Sequence, residues 1–296
     1  MRAIVFTTGT PDTIKLIESF TCLGHQTEVI RYDIGTEGIG MEGKVATYRP
    51  DLIVYIGAIK GQHDKYVPSL EELCRLNHVA PMVHICSDSA DPPWWPDLEA
   101  YNNAGAFRLQ VGIDGCKDSP IARFGMVALT PVDPAYFPTE TTWDTRIYPC
   151  GFAGGIGIRE SILGPIRAQG LLTHFGSGGH PHRYEELCQF YTLCQTVIND
   201  ARTGTGTRRH VKGRFVEAGL GGALLIEPHD SPAQDWFTPD VDYLVWHDPG
   251  EAIGHVRNCY VLRDKYAEMA KRFHAQMLEQ HSAPPLWARV FKEMRL

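Results

Sequence analysis

The chain lacks the features that mark most specialised protein classes. It has eight cysteines, at positions 22, 74, 86, 116, 150, 188, 194 and 259, and none forms a C-x-x-C pair. Zinc ribbons and thioredoxin-like redox centres are therefore not expected. Several of these cysteines sit in apolar runs, as the reduced core thiols of a cytoplasmic protein do. No run of apolar residues approaches the length of a membrane-spanning helix. The apolar part of the opening MRAIVFTTGT is too short for a secretion signal and reads as a first strand. There is no repeat of fixed period, and the basic, glycine-broken stretch at 202–214 is neither a Walker loop nor a G-x-G-x-x-G motif. Positive charge is not in excess: the net charge is -7, which argues against a duplex-DNA binder driven by counterion release.

What is present is an ordinary globular composition, 43% hydrophobic and 21% charged over 296 residues. At roughly 100–200 residues per domain this length suggests about two domains. Apolar runs that read as buried strands alternate with helical spacings. RAIVFTTG is followed by PDTIKLIESFTCLG, whose Ile14, Ile17, Phe20 and Leu23 recur at helical intervals. TEVIRYD, DLIVYIGAI, APMVHICSD and FRLQVGIDG continue the strands, with VPSLEELCRLNH and WPDLEAYNNAGA as helices between the later ones. Such alternation predicts an α/β fold with mainly parallel sheets and ligands at the carboxyl ends of the strands. The aperiodic, proline- and threonine-rich TPVDPAYFPTETTWD, 130–144, reads as a linker. A second αβ series then runs from TRIYPCGFAGG to the final PPLWARVFKEMRL.

The most informative stretch is RRHVKGRFVEAGLGGALLIEP, 208–228. Arg208, Lys212 and Arg214 bring mobile positive charge to a loop that enters a helix, and arginine suits bidentate contact with phosphate. Val211, Phe215 and Ala218 share one helical face, which places Arg214 and Glu217 on another. A carboxylate there can accept two hydrogen bonds from neighbouring sugar hydroxyls. The alternative reading is a surface ion pair between residues three apart.

The segment HVKGRFVEAGLGGALLIEPHDSPAQDWFTPDVDYLVWHDPGEAI resembles the C-terminal domain of the CgeB-like, spore-maturation-protein-type glycosyltransferases. These are related to the family 4 glycosyltransferases. The similarity is clearest over 191–253, weaker over 148–179 and weakest in the first half. It implies a GT-B fold, with two Rossmann-like domains facing each other across a cleft. The expected organisation is an acceptor-side domain at 1–137, a nucleotide-sugar domain at 138–281 and a terminal helix at 282–296 that crosses back to the first domain. The resemblance places Glu217 on the donor ribose. It places Gly154, Gly155 and Arg159 at the diphosphate, and the loop of His174, Gly176 and Gly179 around the base. Where the family 4 pattern has its first glutamate, this chain has Arg209.

In the first half, His84 and Asp88 of VHICSDSADPPWW fall at or near the end of a strand, where a histidine or carboxylate could deprotonate an acceptor hydroxyl. Asp91 is a reserve for the same role. Trp94 and Trp95 could stack on a sugar or plug a domain interface. Gly9 and Thr10 of TTGTPD could line the acceptor side. The expected activity is transfer of a sugar from a nucleoside diphosphate, UDP by preference, to an unidentified acceptor hydroxyl on a glycan, natural product, protein or modified nucleic acid. Neither cofactor nor metal is expected. The alternatives are a sugar-nucleotide epimerase or hydrolase, and a non-catalytic nucleotide-sugar-binding protein.

Overall fold

The computed structural model describes residues 1–7, 11–31, 40–57, 68–138, 142–176 and 183–296. In chain order the first elements are β1 (Arg2–Thr7), α1 (Pro11–Thr21), β2 (Gln26–Arg31), α2 (Met41–Tyr48), β3 (Leu52–Ile56) and α3 (Leu70–Val79). They are followed by β4 (Met82–Cys86), α4 (Trp95–Ala104), β5 (Leu109–Gly112), α5 (Ile121–Phe124) and β6 (Met126–Val127). The second series is β7 (Tyr148–Ala153), α6 (Glu160–Ala168), β8 (Leu172–Phe175), α7 (Tyr184–Thr192), β9 (Cys194–Ile198), α8 (Gly213–Leu220), β10 (Leu224–Pro228) and β11 (Leu244–Trp246). Three helices close the chain: α9 (Pro249–Val261), α10 (Arg263–Gln276) and α11 (Ala283–Met294). Two compact units result, one of residues 1–133, 203–208 and 283–296 and one of residues 134–202 and 209–282.

The first unit holds a six-stranded parallel sheet in the order β2-β1-β3-β4-β5-β6. Its central strands are buried on both faces and mainly apolar, with His84 of β4 an exception. Ile4, Phe6, Ile53, Tyr55, Met82 and Cys86 point to the core beneath α2, α3 and α4. Ala3, Val5, Leu52, Val54, Val83 and Ile85 point to the other, with Leu16 and Phe20 of α1 and Leu286, Trp287 and Val290 of α11. The burial of α1 departs from the expected stripe. Thr13, Leu16 and Phe20 are buried, whereas Ile14 is 45% exposed. The helix is rotated so that Ser19 also turns inward, where its hydroxyl accepts a 3.2 Å hydrogen bond from Trp287 Nε1. That bond satisfies the one polar atom of a fully buried indole.

The second unit has a five-stranded parallel sheet in the order β11-β10-β9-β7-β8. From β7 the chain runs outward to β8 and then returns to the opposite side of β7 as β9. The loops that follow β7 and β9 therefore leave in opposite directions and open a crevice at the carboxyl edge, where ligands of open α/β sheets bind. Arg146, just before β7, is 7% exposed and holds this unit together. Its guanidinium donates to the carbonyls of Thr192 at 3.0 Å, Cys194 at 2.9 Å and Gly221 at 2.9 Å, with a longer bond to Tyr191. Thr192 ends α7, Gly221 caps α8 and Cys194 opens β9, so one guanidinium ties two helix ends to the start of a strand. Burial lowers the Arg146 pKa to about 10, which leaves it charged at neutral pH.

Candidate active site

Two loops of the second unit meet at the crevice. The β7–α6 loop begins with Gly154 at φ +121°, a conformation that side chains rarely adopt, and a β-carbon there would lie 2.8 Å from Arg214 Nη2. Glycine is therefore required both by the backbone and by the approach of the guanidinium. Gly155 follows, exposed, with no atom within 4 Å of where its β-carbon would be. Arg214, from the first turn of α8, donates to the Ala153 carbonyl and, at 2.6 Å, to Asn199 Oδ1, and lies 4.4 Å over the Phe152 ring. Arg159 donates to the Gly155 carbonyl at 2.8 Å. His174, at the end of β8, reaches the Gly154 carbonyl through Nε2 at 2.8 Å.

The β9 loop contributes Asn199 and Asp200, both buried. Asp200 is bound by Arg202 through Nε and Nη2, the closest contact being 2.7 Å. Arg159 Nε lies 3.4 Å and Arg209 Nη1 3.7 Å from the same carboxylate. Burial pushes the Asp200 carboxyl up, but these guanidiniums hold it below the usual carboxylate range. Arg202 also donates to the Ile158 carbonyl at 2.9 Å, so it links the two loops. One buried carboxylate thus organises three arginines; Asp230 takes up Arg209 at 2.8 Å, and the positive charge left over suits an anionic ligand.

Behind this layer lies Glu227 at the end of β10, 0% exposed. Its Oε1 accepts from Ser231 Oγ at 2.6 Å and from Asn199 Nδ2 at 3.1 Å, while Oε2 has no hydrogen-bond partner among the described residues. A guanidinium only donates, so Asn199 must turn Oδ1 to Arg214 and Nδ2 to Glu227. Glu227 therefore sets the orientation of the amide that holds Arg214. Burial, partly offset by the Ser231 and Asn199 hydrogen bonds, pushes the Glu227 pKa up to about 7. The folded protein keeps this proton over a range in which the unfolded chain has released it. The resulting stability is present at low pH and is lost as pH rises toward 7. Between about pH 5 and pH 7.5, denaturant titrations are expected to show the wild type losing on the order of 2 kcal/mol more than Glu227→Gln. Identical slopes would show that Glu227 ionises without cost.

Glu217 does not occupy a solvent face. Residues 215–220 of α8 are all buried, Glu217 is 3% exposed, and its carboxylate accepts from the Tyr184 hydroxyl at 3.3 Å. Lys212 precedes the helix, half-buried, and Gly176 ends β8, exposed. Arg208 has its partners in the first unit: it pairs with Asp118 at 3.1 Å and lies 5.2 Å over the Trp95 ring. It does not join the cluster around Asp200. Gly179, Gly9 and Thr10 lie outside the described residues. The sequence contains one D-x-D triplet, Asp240-Val241-Asp242, and it builds a turn: Asp240 accepts from the Val245 amide and Asp242 from the Thr238 amide.

In the first unit, His84 requires a correction. It lies mid-strand in β4, not at the strand end, on the same face as Met82 and Cys86. It is 0% exposed, stacked 4.7 Å from Phe107 and hydrogen-bonded to Gln110 at 3.2 Å. Burial lowers its pKa to about 4, and an imidazole so enclosed cannot reach an acceptor hydroxyl. Asp88 is half-buried in the loop beyond β4. That loop is shaped by Asp114, which sequence reasoning missed: its carboxylate accepts from Ser89 Oγ at 2.8 Å and the Ala90 amide at 2.7 Å. Asp91 is buried and accepts from Thr205 Oγ1. Trp94 and Trp95 pack against the core, and Trp95 Nε1 donates to the Ser89 carbonyl. The tandem indoles therefore serve the interior of their own unit rather than a free stacking platform.

Residues 157–289 match the family model described as glycosyl transferase-like. Comparison with curated proteins found no match. Among solved structures, Anabaena HepE in complex with UDP has a TM-score of 0.66 at 12% identity over 99% of each chain. An alpha-glucosyltransferase in complex with UDP and a 13-mer DNA has a TM-score of 0.65 at 10% identity over 100% of both chains. A Listeria monocytogenes protein described as a UDP-N-acetylglucosamine 2-epimerase has a TM-score of 0.62 at 10% identity, covering 99% of this chain and 96% of that one. At these identities the likeness establishes the architecture, which is the GT-B fold.

Proposed function

We propose that this glycosyltransferase-like chain moves a sugar from a uridine diphosphate sugar to an acceptor hydroxyl, and that it is of the CgeB-like type. The observation that carries the reading is the convergence at the β7–β9 crevice, beside Gly154 and Gly155, of Arg159, Asn199, Asp200, Arg202 and Arg214, five residues that all lie in the segment matching the glycosyl transferase-like model. Arg159, Lys212, Arg214 and the backbone amides of Gly154 and Gly155 would bear the charge that develops on the departing diphosphate. Side-chain cations do this work without a bound metal. Glu217 would take the ribose hydroxyls in place of the Tyr184 hydroxyl. The β8 end, with His174 and Gly176, would approach the base. UDP is the donor nucleotide we favour, supported by the UDP complexes of proteins with the same fold. A cytoplasmic location is supported by eight free thiols, six of them buried.

Asp88 is our candidate for the base that deprotonates the acceptor, and its loop is fixed from below by Asp114. The test is product analysis with a labelled UDP-sugar and a panel of acceptors. Label on an acceptor is the expected result. Free sugar would establish hydrolysis and an altered donor would establish epimerisation; either overturns the reading. Asp88→Asn is expected to lower kcat by about 100-fold with donor KM little changed. Parallel losses in both constants would make Asp88 a structural residue.

A further inference from the structure

His210 has no role in the fold or in the site as described so far, yet it is buried in its cationic layer. It follows Arg209 and precedes Lys212 and Arg214 by two and four residues. Its amide donates to the Ala201 carbonyl at 2.8 Å, beside the antiparallel bridge of Arg202 and Arg209, which fixes the backbone at the base of the β9 loop. The side chain is 6% exposed, and neither ring nitrogen has a hydrogen-bond partner among the described residues. Buried imidazoles nearly always have one. The charged groups around it explain the exception. Lys212 and Arg214 face it from the start of α8 and Arg159 from the β7–α6 loop. All three are donors without an acceptor atom. The nearest organised carboxylate, Asp200, is taken up by Arg202, Arg159 and Arg209. None of these three cations can satisfy an imidazole N–H, whereas the oxygens of an anionic ligand can.

We propose that His210 is a contact of the donor diphosphate: phosphate oxygens accept from its ring, and their negative charge lets it take up a proton from solvent as the nucleotide binds. The inference rests on the diphosphate reading above. Burial first, and then the charges of Lys212, Arg214 and Arg159, lower the His210 pKa to about 3, so the ring is neutral near pH 7. A diphosphate would cancel the field of those cations and supply the missing acceptor together, and both effects favour the imidazolium. Binding and protonation are then linked, and donor affinity rises as pH falls from 7 toward 6.

The experiment is titration calorimetry of UDP-glucose at about pH 6 in two buffers of different ionisation enthalpy. UDP-glucose is chosen because its diphosphate has no proton to exchange in this range. The wild type is expected to take up roughly 0.2–1 proton per nucleotide bound. His210→Gln keeps an N–H donor but cannot be protonated; its uptake should fall to near zero and its affinity by about 3- to 10-fold. His210→Phe, with no donor, should lose about 30-fold or more. Melting curves of both variants establish that they are folded. Binding by the wild type without proton uptake overturns the proposal, even if neither variant folds. Undiminished uptake in His210→Gln also overturns it by assigning the proton to another group. Failure of the wild type to bind UDP-glucose or UDP at all is a different result: it sinks the donor reading, and this inference with it.

Discussion

Arg146→Ala is expected to unfold the second unit at a temperature about 10 °C below the wild type, a loss on the order of 3–5 kcal/mol. Two effects act together. Removal of the guanidinium leaves the carbonyls of Thr192, Cys194 and Gly221 buried without their donor. An orphaned buried acceptor costs about 1–3 kcal/mol. It also frees the C-terminal ends of α7 and α8 from the segment that leads into β7. Arg146→Lys should recover only part of the loss, because one ammonium cannot reproduce the fork that spans both helix ends. Calorimetry is the appropriate readout, since the unit should melt as its own transition. An alanine variant within 2 °C of the wild type would show that ordered water serves these carbonyls equally well.

Arg214→Met is expected to lower kcat/KM for the donor by about 100- to 1000-fold, the size seen when a group that stabilises developing negative charge is removed. The structure gives the reason for choosing this arginine. Arg214 joins the β7 strand end, through Ala153, to the β9 loop, through Asn199, while it lies on Phe152. Arg214→Lys should not restore the rate, since an ammonium cannot hold two acceptors in a plane and stack on a ring. Asn199→Ala should show a smaller loss, because it leaves the charge in place but removes what aims it. If Arg214→Met kept kcat/KM within threefold while Arg159→Met did not, the diphosphate would sit on the β7–α6 loop alone. The crevice model would then need to be redrawn.

The strands were legible because buried parallel strands are mainly apolar, and the runs of β1, β3, β4 and β10 stood out even with His84 and Glu227 inside them. Helix orientation was less so. In α1 the apolar letters pointed to Ile14, but the bond from Trp287, 268 residues away, turned Ser19 inward instead. The site was half visible. Glycine-flanked Arg159, Arg214 and Glu217 stood out through a local pattern that resembles a known family. Asp200, Arg202, His210 and Glu227 did not, because what joins them to Arg159, Arg214 and Asn199 runs between loops: Asn199 and Glu227 are 28 residues apart and become neighbours through sheet register. His84 misled because a histidine close to a strand end looks accessible, and its depth depends on which face of β4 it shares with Phe107 and Gln110.

Composition and periodicity by themselves determined the class of this protein: two successive parallel α/β sheets, with basic, glycine-broken loops at strand ends. These are properties of a few adjacent residues, and local sterics and burial act on them directly. Which charges meet was decided only by the tertiary structure. Strand order brings β7 and β9 together with β8 on the far side, and Coulomb and hydrogen-bond energies depend on distance through space rather than along the chain. For the same reason Arg208 pairs with Asp118 in the first unit, while Arg209, one residue later, pairs with Asp230 in the second.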